Sequence, residues 1–507
     1  MAGSDQKITY LQQKIEGFKL ENTFLREELR LLRQKLFGRK SEKYEQETDS
    51  LAVLFPEWAA NEKSVVEENQ EKNIEVAGHN RKKPGRKPIS DDLPRVVVEH
   101  DLPENEKVCG CGCMMSRIGE DSSEQLDMTP ASYQVIRHVR YKYACKSCQG
   151  LDSDGGTVKI APVPEQIIPK SIATPKLLAH IFIAKFCDAL PFYRQESQFA
   201  RSGIEIPRAT MCNWAGQVYE RCEPLLNLLK QELLSGFLIN ADETTVQVLA
   251  EPGRDAKSTS YMWVFRGGQP DKPVFYFHYH PSRSGGVAEE FLSGYRGYVQ
   301  TDGYSGYNFL DGRPGVTHVG CWAHVRRKFM ETIKAAGGRH GNGKADEALV
   351  VIRRLYQIEK EARELPAEEI FLLRQEKSKP MLDEFEKWLM ENARITPPKS
   401  LLGKAFAYTV SQWPRLMQYL QDGRIRMDNN LAENAIRPFV VGRKNWLFSG
   451  TPEGARASAF FYSIIETAKA NKLEPYKYLC HLFEKLPLAR TEADLKALLP
   501  HMLLPGN

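Results

Sequence analysis

Three carboxylates stand where phosphodiester chemistry could use them. The apolar run Phe237-Leu-Ile-Asn-Ala241 delivers Asp242, and Gly297-Tyr-Val-Gln-Thr301 delivers Asp302 directly before Gly303. A third acid, Glu433, lies in Asp428-Asn-Asn-Leu-Ala-Glu433-Asn-Ala-Ile-Arg437-Pro438, which opens with good N-cap residues and which Pro438 should stop or kink. A charged carboxylate at the end of a buried strand is costly unless it is paired or binds a metal. Phosphodiester chemistry with two metal ions needs acids from separate elements converging on cations about 4 Å apart, one activating the attacking oxygen and one steadying the leaving oxygen. Two strand-borne Asp and one helix-borne Glu would supply that set, at intervals of 60 and 131 residues. Taken singly, either Asp is better explained as a helix cap or turn former, and spacing alone does not separate Asp242 from Glu243.

Other residues could serve the same chemistry. At helical spacing Asn430, Glu433, Asn434 and Arg437 share one face, an unusual stripe for a merely solvated surface. Downstream, Val441-Gly-Arg443-Lys444-Asn-Trp-Leu-Phe448 interleaves cations with aromatics, a mixture suited to phosphates and stacked bases. His318-Val-Gly-Cys321-Trp-Ala-His324-Val-Arg326-Arg327-Lys328 reads as a strand running into a basic helix. Cys321 and His324 have the spacing of half a zinc site with no second half in view, so His324 is read as orienting a phosphate or a carboxylate, with simple packing as the plainer alternative.

The elements that must position these groups follow from pattern. Tyr261-Met-Trp-Val-Phe265 and Val274-Phe-Tyr-Phe-His-Tyr279 read as strands at hairpin spacing after the Asp242 strand. The interval before Glu433 holds helix-like sequence from Asp346 to Gln421, too long for a connection and better read as an inserted helical subdomain. Ahead of the strands, Tyr193 to Phe199, the break Ser202-Gly203, and a helix begun at Pro207 with Arg208 near its start and Trp214 as a packing anchor have the layout of a helix-turn-helix reader, although any pair of hairpinned helices would look similar.

Cys109-Gly-Cys111 faces Cys145-Lys-Ser-Cys148 across the stretch Tyr133–Tyr143, which reads as β-rich; two thiolate pairs so spaced suit a four-sulfur zinc site, with buried reduced thiols as the alternative. Cys113 could replace a member of the first pair. The run Arg81-Lys82-Lys83-Pro84-Gly85-Arg86-Lys87-Pro88 is either a minor-groove arm or a solvated basic linker. At the start, Ile8, Leu11, Ile15, Phe18, Asn22, Leu25, Leu29, Leu32 and Leu36 step by three and four, a heptad seam whose single Asn suits a two-stranded coiled coil. With 507 residues, 42% of them hydrophobic and 27% charged, the chain is neither globally disordered nor a disulfide mini-scaffold. A net charge of +5 is too mild to announce a nucleic-acid partner, and no apolar run approaches the roughly 20 residues that span a bilayer, so a cytoplasmic protein is expected.

In order along the chain, Leu36-Phe-Gly-Arg-Lys-Ser-Glu42, Pro84-Gly-Arg-Lys-Pro88, Arg117-Ile-Gly-Glu-Asp121, Lys142-Tyr-Ala-Cys145, Ala241-Asp-Glu-Thr244, Thr301-Asp-Gly-Tyr304, Gly320-Cys-Trp-Ala-His324-Val-Arg-Arg327, Asp428-Asn-Asn-Leu-Ala-Glu433 and Gly442-Arg-Lys-Asn-Trp-Leu-Phe448 resemble the insertion sequence 66 transposases of bacteria, Asp-Asp-Glu recombinases with a ribonuclease-H-like core. Each block is weak alone; the ordered set is specific. The resemblance implies a multidomain α/β chain: a coiled-coil dimerisation helix at 1–43, a linker with the basic arm at 44–95, a zinc-binding domain at 96–160, a helix-turn-helix-like region at 161–225, a mixed-sheet catalytic domain at 226–455 with an all-α insertion near 340–425, and a C-terminal helical region at 456–507.

It implies Asp242, rather than Glu243, with Asp302 and Glu433 as catalytic acids holding two Mg²⁺ or Mn²⁺, and a structural Zn²⁺ on Cys109, Cys111, Cys145 and Cys148. The first pair departs from the family's commoner Cys-x-x-Cys. Arg81, Lys82, Lys83, Arg86, Lys87, Arg208, Arg326, Arg327, Arg437, Arg443 and Lys444 are expected to bind DNA, with His324, Asn430 and Asn434 assisting at the acids. Expected partners are double-stranded DNA of the element ends and the target, a second protomer or more, and companion proteins of the same element, in a bacterial cytoplasm at the nucleoid. The rivals are a DNA-binding regulator with a dead core and a ribonuclease-H-like nuclease without strand transfer.

Overall fold

The computed structural model describes residues 132–144, 158–335 and 343–503, with isolated positions 14, 19, 21, 22, 25, 26 and 97. Most of the expected zipper, the basic arm from Arg81 to Lys87 and the cysteines Cys109, Cys111, Cys113, Cys145 and Cys148 lie outside the described residues; the six described positions of the zipper segment are helical. The chain divides into two compact units, 62–163 and 164–507 with 1–61.

In the first unit the β-rich expectation for Tyr133–Tyr143 is met only at its end. Strand β1 (Lys142–Ala144) pairs antiparallel with β2 (Val158–Ile160), while 132–141 carries no strand and its side chains are exposed. Without an inward face, alternating residues have nothing to pack against and no ladder is enforced.

The second unit opens with α1 (Pro175–Phe186), α2 (Phe192–Arg201) and α3 (Arg208–Leu234). Thr174 caps α1 by accepting from the Leu177 N–H, and Gly203, at φ +74°, turns the chain between α2 and α3. The helix-turn-helix layout is present and Trp214 is buried, but α3 runs 27 residues and crosses the expected boundary at 225. Its buried stripe Met211, Val218, Leu225, Leu229 and Leu233 joins the core of the following sheet, so these helices belong to the main body.

That sheet has the order β5-β4-β3-β6-β7. Strands β3 (Leu238–Gln247), β4 (Thr259–Gln269) and β5 (Lys272–His280) form an antiparallel meander. After α4 (Gly285–Phe291), β6 (Gly297–Gln300) and β7 (Val316–Val319) add in parallel on the other side of β3. Valine, isoleucine and aromatic side chains fill both faces of the central strands, as a sheet covered by helices requires.

Helix α5 (Trp322–Ala335) is amphipathic. Trp322, Val325, Phe329 and Ile333 sink into a second core, while His324 and Arg327 lie on its polar side. That second core is built with the insertion: α6 (Lys344–Glu361), α7 (Ala367–Leu373), α8 (Lys379–Arg394) and α9 (Leu401–Leu416). The insertion is anchored by Arg374, 2% exposed, whose guanidinium grips both Glu359 oxygens at 2.8 and 2.7 Å and the carbonyls of Tyr419, Asp422 and Ile425.

Helix α10 (Asn430–Trp446) runs on through Pro438 instead of stopping there, and α11 (Pro452–Ala470), α12 (Pro475–Lys485) and α13 (Glu492–Ala497) close the unit. The expected boundary at 455 falls inside α11, which is buried along most of its length because it lies on β5. Ser463 and Thr467 of α11 accept the Phe277 and Phe275 N–H groups at 2.8 and 3.0 Å, covering the outer edge of the sheet.

Candidate active site

The acids are placed by a buried polar network one step below them. Asn240 on β3 lies beside Gln300 on β6, and its side-chain amide donates to the Gln300 oxygen at 2.9 Å. Gln300 in turn donates to the carbonyls of Gly320 and Arg426 at 3.2 and 2.8 Å, tying β6 to the start of α5 and to the approach to α10. Side chains alternate along a strand, so two residues further on Asp242 and Asp302 continue the face of Asn240 and Gln300.

Local structure then fixes each carboxylate. Asp242 Oδ1 accepts the Glu243 N–H at 2.9 Å, and Asp302 Oδ1 accepts the Tyr304 N–H at 2.9 Å in a tight turn. Gly303 is required there by packing, since a Cβ would sit 2.4 Å from the Tyr408 ring of α9. Glu433 arrives on the first turn of α10, whose entry is pinned by Asn429: its amide donates to the Ala241 carbonyl at 2.9 Å and its backbone N–H to Cys321 Sγ at 3.2 Å. The helix start is thus bound to the residue before Asp242. Glu433 Oε1 lies 3.0 Å from His324 Nε2, and Arg327 donates to Oε2 at 3.2 Å.

Charge is unevenly compensated. Burial, joined by the charges of Glu433, Glu243 and Asp302, pushes Asp242 well above the ordinary carboxylate range despite the Glu243 N–H. Burial also pushes on Glu433, but the His324 hydrogen bond and the charges of His324 and Arg327 prevail and hold it below that range. Among the described residues no ion pair reaches Asp242 or Asp302. Glu243 is engaged elsewhere, accepting Arg283 Nε and Nη2 at 2.9 and 2.7 Å on one oxygen and the Tyr307 hydroxyl at 2.7 Å on the other. Among the described residues, the buried amide oxygens of Asn429 and Asn430 have no hydrogen-bond partner. Clustered acids with spare oxygen acceptors beside them are the donor chemistry of a hard divalent cation, so the residues present fit Mg²⁺ or Mn²⁺.

The remaining candidates are distributed differently. Arg443 donates to the Thr244 and Thr245 hydroxyls at 3.2 and 2.8 Å and to the Thr245 carbonyl, clasping α10 to β3. Arg326 lies over the Tyr356 ring, Arg437 is half-buried on α10, and Lys444, Asn434 and Arg208 are exposed. Asn430 donates from its side chain to Asp428 Oδ2 at 2.9 Å. Sequence reasoning missed Asn240, Gln300 and Asn429. The first two repeat the acids' own interval of 60 residues, a signal that was available; Asn429 read only as an N-cap, and its side chain makes no cap bond.

Comparison with known proteins adds the following. Residues 170–457 match the Transposase IS66 family, 106–149 the zinc-finger binding domain of transposase IS66, 24–98 the profile described as Transposase C of IS166 homeodomain, and 463–501 the IS66 C-terminal element. Two curated relatives come from Sinorhizobium fredii (strain NBRC 101917 / NGR234). Uncharacterized protein y4hP is 30% identical over 477 residues, 90% of this chain and 84% of the relative. Uncharacterized protein y4jD is 32% identical over 425 residues, 80% and 81% of the two chains.

Proposed function

Because the chain belongs to the IS66 family of transposases, we propose that it cuts DNA at the ends of an insertion sequence and joins the freed 3′-hydroxyl to target DNA, with Asp242, Asp302 and Glu433 as its catalytic acids. The observation that carries this is the closeness of the acids: Asp242 lies on β3 two residues past Asn240, Asp302 lies two residues past Gln300, Asn240's pairing partner at the end of β6, and Glu433 is on a helix pinned to the residue before Asp242. An antiparallel meander followed by two parallel strands supports a ribonuclease-H-like reading of the core.

Bound there, two Mg²⁺ or Mn²⁺ ions would make water or a 3′-hydroxyl a stronger nucleophile and steady the leaving oxygen. The chain's own contribution is positional. Asp242 presents its oxygens from the central strand β3 and Asp302 from the turn that follows β6; His324 and Arg327 orient Glu433 and keep it ionised. Lys444, Arg437, Arg326 and Arg208 hold phosphates, whereas Arg443 acts first as the clasp on β3. The zinc-finger segment, with Zn²⁺ on Cys109 or Cys113, Cys111, Cys145 and Cys148, and the N-terminal segment with its arm Arg81, Lys82, Lys83, Arg86 and Lys87 find the element ends and pair protomers. Joining two ends in one complex needs at least a dimer. Companion proteins of the element act with it, at the nucleoid of a bacterial cytoplasm. Among the described residues no helix is long and apolar enough to cross a membrane.

The test is Mg²⁺- or Mn²⁺-dependent cleavage and joining of labelled DNA bearing the element ends, with companion proteins added, comparing wild type with Asp302→Ala. Joined products that vanish in the variant while DNA binding persists support the proposal. Equal activity in both removes Asp302 from the site, and binding without chemistry in the wild type favours a DNA-binding regulator.

A further inference from the structure

Beside the hard-cation site lies a donor set of a different chemistry. Cys321 Sγ, a ring nitrogen of His324 and a carboxylate oxygen of Glu433 all lie within 4.8 Å of one another. The three come from two elements already held against each other: Cys321 immediately precedes α5, His324 is on its first turn, and Glu433 is on the first turn of α10. A tetrahedral zinc with bonds of about 2.0–2.3 Å requires donors about 3.3–3.6 Å apart. The His324–Glu433 pair, at 3.0 Å, already stands near that spacing. Cys321 Sγ, within 4.8 Å of the other two atoms, has to draw closer for all three to reach one ion.

Burial and the charges of Glu433 and Asp428 push the metal-free Cys321 thiol well up, so the sulfur becomes a thiolate only by exchanging its proton for a metal ion. The Asn429 N–H is directed at Sγ at 3.2 Å. Such a donor offsets part of the cost of a buried sulfur anion. Cys321 itself is 2% exposed, so the thiol is screened from bulk oxidants, while the half-buried His324 and Glu433 form the open side of the group. Thiolate, imidazole and carboxylate together favour Zn²⁺, Co²⁺ or Cd²⁺ over Mg²⁺, which takes oxygen ligands.

We propose that Cys321, His324 and Glu433 form a second cation site, specific for thiophilic divalent ions such as Zn²⁺, and that its occupation withdraws Glu433 from the magnesium site and inhibits the enzyme. Binding is written as Cys321–SH plus Zn²⁺ giving Cys321–S–Zn⁺ plus a proton released to solvent, with His324 and Glu433 donating lone pairs and water completing the shell. The binding half stands on the donor geometry alone; the inhibition half rests on the reading of Glu433 as a catalytic acid.

The experiment uses the full chain equilibrated in a zinc buffer, with metal content measured per chain, followed by Co²⁺ exchange and difference absorption spectroscopy. Wild type should hold one equivalent more than Cys321→Ser, and the wild-type-minus-variant Co²⁺ spectrum should contain a thiolate-to-metal charge-transfer band. Because Cys321→Ser alters a buried position, His324→Gln is the second variant, with circular dichroism verifying that it is folded; it should lose the same equivalent. Equal metal content and identical Co²⁺ spectra in wild type and folded His324→Gln would overturn the site. In parallel, zinc is titrated into the Mg²⁺-dependent cleavage assay. Inhibition of wild type at the zinc levels that fill the extra equivalent is expected, and full activity with that equivalent filled would overturn the inhibitory role. An extra equivalent in a wild-type protein with no cleavage under Mg²⁺ alone leaves the zinc site standing and counts against the catalytic reading instead.

Discussion

Arg374 in the helical insertion and the three acids (Asp242 in mid-β3, where the strand runs on to Gln247 instead of ending at the acid, Asp302 just after β6 and Glu433 on the first turn of α10) are both cases of charge drawn into the protein, and they are resolved in opposite ways. Each N–H of Arg374 has an acceptor: two Glu359 oxygens and three carbonyls. At the acids, Glu433 has His324 and Arg327, Asp242 is raised by burial and by its neighbours' charges, and no ion pair reaches Asp242 or Asp302 among the described residues. Charge that is satisfied within the chain holds structure together. On the proposed reading, the charge left open at the acids is stability given up for a cation from outside.

The largest effects should come from breaking the open cluster. Asp242→Asn and Asp302→Ala should each lower metal-dependent DNA cleavage by about 10³-fold or more, since the loss of a metal ligand removes several kcal/mol of charge stabilisation. At pH above the raised Asp242 value, the same Asp242→Asn should raise the melting temperature of the metal-free protein, because it removes one of several like charges. A fall in metal-free stability would mean that the carboxylate is structural.

Breaking the closed pair should do the reverse. Arg374→Ala leaves Glu359 without its partner and is expected to cost about 3–5 kcal/mol, read as a shift in the denaturant midpoint. The double change Arg374→Met with Glu359→Leu should recover only the part due to the unpaired Glu359 carboxylate, because the Tyr419, Asp422 and Ile425 carbonyls still lack their donor, whereas metal binding per folded chain stays as in wild type.

A pH series sharpens the contrast. Asp242 binds its proton more tightly in the folded than in the unfolded chain, so the folded state holds more protons between the ordinary carboxylate value, about 3.9, and the raised one. Metal-free stability contributed by this group therefore falls as pH rises through that window. Saturating Mg²⁺ should abolish the fall, because cation binding replaces the proton, and Asp242→Asn should lack it altogether. Smallest of all, Lys379→Ala removes an exposed i,i+4 pair with Asp383, 3.2 Å apart with both side chains 49% exposed, and should change stability by about 0.5 kcal/mol or less in thermal melts.

Much of this arrangement was legible in the sequence where local pattern and tertiary need coincide. The apolar runs before Asp242 and Asp302 are strands β3 and β6, the aromatic runs are β4 and β5, and the helix-like interval is α6 to α9. Illegible were the features fixed by contacts between distant segments. Nothing local to Arg374 marks it as buried, and α11 looks like a separate C-terminal element until its Ser463 and Thr467 are seen to close the β5 edge. Boundaries at 225 and 455 failed because α3 and α11 are continuous helices whose apolar faces feed the sheet's core. Pro438 suggested a stop or a kink, and the stop is absent: burial of Ala435, Ile436 and Phe439 on either side of it carries α10 to Trp446.

The most direct measurement is Mn²⁺ binding to the full chain by electron paramagnetic resonance of the free ion, comparing wild type, Asp242→Asn, Asp302→Asn and Glu433→Gln, with Arg374→Met/Glu359→Leu as the reference. Wild type and the reference should take up about two ions at the acid cluster, and each acid variant should lose one or both while remaining folded. Equal Mn²⁺ uptake by all five proteins would contradict the claim that the open charge at β3, β6 and α10 exists to hold a cation.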